Sequence, residues 1–167
     1  VDGATAQGAI NPNTRTNSLN IFSQFLAQNP SDKLFIMLGE VDCGYLIWYK
    51  NKFEGLDILD QMKDSVDRLF SFIKDHALQH YKISDIVVLG SNPPTIEDNA
   101  DPQFLAGARS QVDADLKSRL KLTREYNSEL ARRCNEMGCQ FISILEDVID
   151  IKTDTIDQKW KNENPHD

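Results

Sequence analysis

Three short apolar runs constrain this chain more than any other feature. They are "LFIML" within residues 33–38, "IVVL" within 85–89 and "FISI" within 140–144. Each is continuous rather than alternating, as expected of strands covered on both faces. A helical pattern precedes each run. The clearest spans residues 56–81, where Leu59, Met62, Val66, Leu69, Phe70, Ile73 and Ala77 recur in steps of three and four. That spacing draws one apolar stripe along a helix. A second helix is predicted over 112–137, with Leu116, Leu120, Thr123, Asn127, Leu130 and Cys134 on its stripe. Gly138 follows as a left-handed stop. A shorter helix covers 17–28, with Leu19, Phe22, Phe25 and Leu26 inward, and a last one is predicted around 155–162.

Helices and strands thus alternate along the chain. That order predicts an α/β fold, a three-layer α/β/α sandwich around a parallel sheet. The 167 residues suffice for one domain with its own core. Right-handed crossovers place all strand ends of one kind on one edge, and ligands bind outside the carboxyl ends. "GEVDCG", residues 39–44, follows the first strand. A long connection, 91–111, follows the second, and the third strand leads towards the tail. The residues richest in Gly, Asp, Asn and Pro therefore converge on one edge.

Charge narrows the partners. A net charge of −8 with no basic run argues against nucleic acid and anionic membranes. No apolar stretch reaches the ~18–20 residues that span a bilayer, and no secretory leader pattern is visible at the start. Cys43, Cys134 and Cys139 are an odd set without zinc-ligand spacing. They read as buried small hydrophobes in a reducing, cytoplasmic compartment, with Cys43 the one placed to be reactive. No metal or organic cofactor is implied. His76 and His80 stand four apart on the predicted helix, on one face, without an evident third ligand.

Three segments carry polar chemistry. "GATAQG", residues 3–8, is small and glycine-rich, so its backbone can approach a ligand and offer free N–H groups. Gly3 and Gly8 are its candidate amide donors; a tight loop leading into a helix is the plainer reading. In "GEVDCG", an extended backbone past Gly39 would aim Glu40 and Asp42 to one side and Val41 to the other. Asp42 as a turn cap is the alternative. In the tail "NENPHD", Glu163 and His166 would form an acid–imidazole pair fit to orient a general base, unless the segment is simply a solvated end.

Together these pieces resemble the SGNH/GDSL hydrolase superfamily, in particular a bacterial branch with "GATAxG", "LGEVDC" and "LTxEYN" segments. Here they read "GATAQG" at 3–8, "LGEVDC" at 38–43 and "LTREYN" at 122–127, and "NENPHD" at 162–167 would open the last block. The resemblance implies an α/β/α sandwich of the SGNH-hydrolase, flavodoxin-like kind. It also implies an esterase or acyltransferase working on O-acyl esters, acylated carbohydrate among them. A serine attacks the ester, a histidine takes its proton and an acid orients the histidine.

The chain departs from that pattern. It contains no "GDS" block, so the nucleophile and the first strand are expected ahead of Val1. That missing strand would sit beside "KLFIML", supplied by a longer chain or by a second copy. The oxyanion-binding asparagine of the third block falls on Val41, which cannot donate a hydrogen bond; such a donor is worth about 2.7–4 kcal/mol. Two alignments of the tail stay open. In one, Asn164 and Asp167 take the acid positions and the histidine lies beyond Asp167; in the other, Glu163 and His166 are the pair. A non-catalytic SGNH-like binding or assembly domain is the rival reading, and a flavodoxin-like domain holding phosphate at "GATAQG" is a third.

Overall fold

The computed structural model describes residues 3–99 and 110–161. Helix α1, Ser18–Gln28, leads to strand β1, Leu34–Met37. A π-helical turn, Asp42–Leu46, runs directly into α2, Ile47–Glu54. Then come α3, Ile58–Asp75, β2, Ile86–Leu89, α4, Leu116–Met137, and β3, Gln140–Ile142. The three strands form a parallel sheet in the order β1-β2-β3, with Leu34 opposite Ile86 and Val88 opposite Phe141. The fold is therefore α/β with a parallel sheet, as the alternation of patterns predicts.

The two long helices form where their stripes predict. Asp57 caps α3 by accepting from the amides of Leu59 and Asp60 at 2.8 and 3.0 Å. Asp115 caps α4 through the Ser118 amide at 2.7 Å. Such caps contribute about 1 kcal/mol each. Gly138 ends α4 with φ 85°, the left-handed stop. Val66, Leu69 and Ile73 of α3 and Tyr126 and Leu130 of α4 are fully buried against Leu34, Ile36, Ile86 and Val88 of the sheet. Each such side chain contributes about 1.5–3 kcal/mol.

Coverage of the sheet differs from the expectation. Only β2 is buried along both faces. Strand β1 alternates, with Leu34 and Ile36 buried but Phe35 and Met37 59% and 50% exposed. By register Phe35, Met37 and Ile142 share the face away from α3 and α4, and Ile142 is also half exposed.

Three local expectations are corrected. Helix α3 stops at Asp75, because His76 leaves helical geometry (φ −122°), and two 3-10 turns lead to β2. His76 and His80 thus share no helical face. His76 stacks on Phe72 and meets Ser23 Oγ at 3.3 Å, next to the amino ends of the strands. The predicted last helix is instead a hairpin of β4, Ile149–Asp150, and β5, Thr155–Ile156, followed by a 3-10 turn, Gln158–Trp160. Asp154 turns the hairpin at φ 53°, and Arg124 of α4 holds its carboxylate at 2.7 Å. Helix α2 was not expected at all. No helix among the described residues is long and apolar enough to cross a membrane.

Candidate functional site

The chain does not stay extended after β1. Helical backbone begins at Glu40, so residues two apart point about 200° apart rather than to one side. Glu40 is exposed while Asp42 is fully buried. Gly39 makes the turn at φ 120°, and a Cβ there would lie 2.4 Å from the ring of Tyr126. Only glycine fits so close beneath α4.

Asp42 is the centre of a buried polar cage. Its Oδ2 accepts from the Ala6 amide at 2.8 Å, and its Oδ1 from the Gln7 amide at 3.1 Å and Ser65 Oγ at 2.9 Å. Ser65 gives its one hydrogen to Asp42, so Tyr126 is the donor in the 3.4 Å contact between their oxygens. "GATAQG" is thus an anion-binding loop, as its composition predicts, but its anion is the chain's own carboxylate. That overturns the phosphate-binding reading. The Gly8 amide turns inward to Thr5, at 2.9 Å from Oγ1 and 3.2 Å from the carbonyl oxygen. Gly3 is exposed, with φ 67°. Burial raises the Asp42 carboxyl above its ordinary range, against the pull of the amides and Ser65.

Burial also raises the Cys43 thiol well above its ordinary value, with the neighbouring Asp42 charge adding to the effect. Cys43 is therefore an inert core group and not the reactive thiol its loop position suggested. Cys134 and Cys139 are buried too, and all three are free.

The exit of β2 is held in the same manner from α4. Asn127 accepts from the Ser91 amide at 2.7 Å and donates back to the Ser91 carbonyl at 3.1 Å. Its Nδ2 also lies 3.4 Å from Ser143 Oγ beyond β3. The segment "LTREYN" therefore fixes two strand exits at once, Tyr126 under the first and Asn127 under the second.

Above these exits lies a cavity of about 300 Å³. Its walls come from Glu40, Val41, Gly44 and Tyr45 after β1, residues 94–98 after β2, and residues 110–119 leading into α4. It therefore sits at the carboxyl edge, where open α/β sheets bind ligands. Arg119, largely buried, spans it from below: it donates to the Ile96 carbonyl at 2.7 Å and the Ala114 carbonyl at 3.1 Å, and pairs with Asp98 at 3.4 Å. Desolvation lowers its pKa, opposed by Asp98 and Asp115. Asp113 pairs with Lys52 and Glu97 with Lys161, each at 2.6 Å. Hydrogen bonding to Ser118 holds the Asp115 carboxyl below its ordinary value.

Of the residues expected at the site, Gly39, Glu40 and Asp42 are brought to this edge, with Glu40 lining the cavity and Asp42 beneath it. Glu163, Asn164, His166 and Asp167 lie outside the described residues, as do residues 100–109 of the long connection. Lys161, the last described residue, is nevertheless fastened to the cavity wall at Glu97. The sequence reading missed Arg119, Tyr126 and Asn127 as site-builders. The available signal was polarity: Thr123 and Asn127 interrupt an otherwise apolar stripe and are both buried. Among the described residues, no group of three or more His, Cys, Asp or Glu could hold a metal ion.

Comparison with known proteins finds no matching family model, no matching curated protein and no matching solved structure.

Proposed function

We propose that this chain forms most of an SGNH-type domain that hydrolyses or transfers O-acyl esters, with acylated carbohydrate as the substrate class. One observation carries the reading. The cavity at the carboxyl edge is walled by both expected loops, and the start of the tail is fastened to it through Lys161 and Glu97. The acid–histidine block of the resemblance would follow within a few residues of that anchor. The attacking serine is expected ahead of Val1, on a strand beside β1. In the three-layer arrangement of that family, further helices would cover Phe35, Met37 and Ile142.

Each near residue then has a task. Glu40, on the cavity wall, accepts hydrogen bonds from substrate hydroxyls. Asp42 ties the loop at residues 6–7 to the β1 exit and so fixes the position of the wall. Val41 lines the cavity at the asparagine position without a donor, so the oxyanion would rely on backbone amides.

The test is fluorophosphonate labelling of the whole gene product, with the adduct mapped by mass spectrometry. A single adduct on a serine ahead of Val1 supports the reading. A folded protein that takes no adduct overturns it in favour of the non-catalytic binding domain, for which Val41 is the favouring observation.

A further inference from the structure

Helix α2 carries an aromatic row that the core does not use. Tyr45, Tyr49 and Phe53 stand four residues apart, with ring centroids 5.6 Å and 4.7 Å apart in tilted contact. Tyr45 lines the cavity, Tyr49 is half-buried and Phe53 is 53% exposed. The row thus starts at the cavity and runs roughly 10 Å along the helix, about two turns. A second link closes it onto the same wall. Lys52 lies 5.5 Å from the Phe53 ring centre while pairing with Asp113 of the cavity at 2.6 Å.

Stacking of neighbours within a helix does not explain the row. Such pairs contribute about 0.2–0.5 kcal/mol, whereas a half-exposed phenylalanine forgoes much of the burial it could have. The charge beside the row narrows what would cover it. Glu97, Asp98 and Asp113 are each paired with a cation, so the wall offers fixed acceptors and donors with little net field. Anions meet Glu40 and Asp115; cations find the other three acids already taken. A neutral ligand with many hydroxyls and flat C–H faces suits both parts. The negative face of an aromatic ring attracts those C–H bonds, and the carboxylates accept from the hydroxyls.

We infer that Tyr45, Tyr49 and Phe53 form a platform for successive sugar rings of a neutral oligosaccharide whose reacting unit lies in the cavity. The inference rests on the ester-processing reading only for where that unit sits; the platform itself binds whether or not chemistry follows.

The experiment is isothermal titration of the protein with cellohexaose, xylohexaose and chitohexaose and with their monosaccharides. At least one hexasaccharide should bind ten-fold or more tightly than its monosaccharide. Tyr49→Ala and Phe53→Ala should each weaken that binding three- to ten-fold with the circular dichroism spectrum unchanged. Equal affinity for hexasaccharide and monosaccharide overturns the inference, as does binding that ignores both substitutions. So does a dimer in sedimentation that Phe53→Ala dissociates, since the row would then be an interface between copies. A protein that labels with fluorophosphonate but binds no hexasaccharide sinks only this inference; one that binds without labelling sinks only the hydrolase.

Discussion

Asp42 and Asp113 are both acids at the carboxyl edge of one sheet, and they are held by opposite means. Asp42 is fully buried, and its partners are two backbone amides and a hydroxyl. Asp113 is 79% exposed, and its partner is the ammonium of Lys52. The first acid is a fastener that joins three distant stretches, residues 6–7, 42 and 65. The second is part of a surface. Acids at one edge thus divide into those that build the wall and those that face a ligand, and burial decides which.

The largest effect should come from Asp42→Ala. It strands three buried donors, each worth about 1–3 kcal/mol when unsatisfied, so a loss of about 3–5 kcal/mol is expected in urea unfolding. Asp113→Ala should cost under about 1 kcal/mol, as exposed pairs do. Comparable losses would erase the distinction.

Two glycines of the same loop sharpen it. Gly39→Ala places a methyl 2.4 Å from Tyr126 at a left-handed φ, so a loss above about 2 kcal/mol is expected from strain and overpacking. An added Cβ at Gly44 meets nothing within 4 Å. Gly44→Ala should stay within about 1 kcal/mol of the parent, and thermal unfolding of the two variants measures the contrast.

The pH dependences should have opposite signs. The Asp42 carboxyl is raised from 3.8, so the native state holds its proton more tightly than the unfolded chain. Its contribution is most favourable at low pH and declines as pH rises from 3.8 through the raised value. Asp115 and Asp154 are lowered from 3.8, by Ser118 and by Arg124 respectively. Their contributions are complete above 3.8 and vanish as pH falls through the lowered values. Denaturant midpoints of the parent and Asp42→Asn across acid pH should therefore converge or cross as pH rises. A parent that gains on the variant with rising pH contradicts the cage. The smallest effect is that of salt. The cost of Asp113→Ala should shrink by a few tenths of a kcal/mol in 1 M sodium chloride, while that of Asp42→Ala stays constant.

Much of the scaffold was legible in the sequence because long stripes and apolar runs report burial directly. Helices α3 and α4 and all three parallel strands lie within a few residues of their expected places. What was illegible was short or non-local. Helix α2 has eight residues, and its apolar side chains Ile47, Trp48, Tyr49 and Phe53 draw no single stripe. The two-residue strands of the hairpin are too brief for an alternating pattern. The edge itself was identified from its glycines and acids. Which acid went inward was not, because the amides that satisfy Asp42 lie 35 and 36 residues away. The small side chains of Ala4, Ala6 and Gly8 were the trace of that close approach, read as room for a ligand.

The π-helical turn bears on how this edge could change by insertion or deletion. The Ile47 amide reaches back five residues to the Asp42 carbonyl, one residue more than an α-helix requires. Removing one residue at Gly44 would restore ordinary winding and rotate everything after it by about 100° relative to Asp42. The caged acid and the aromatic row could no longer both keep their places. That single surplus residue acts as a phase shifter between an interior written in one register and an exterior written in another, so the two can vary independently only while it is kept.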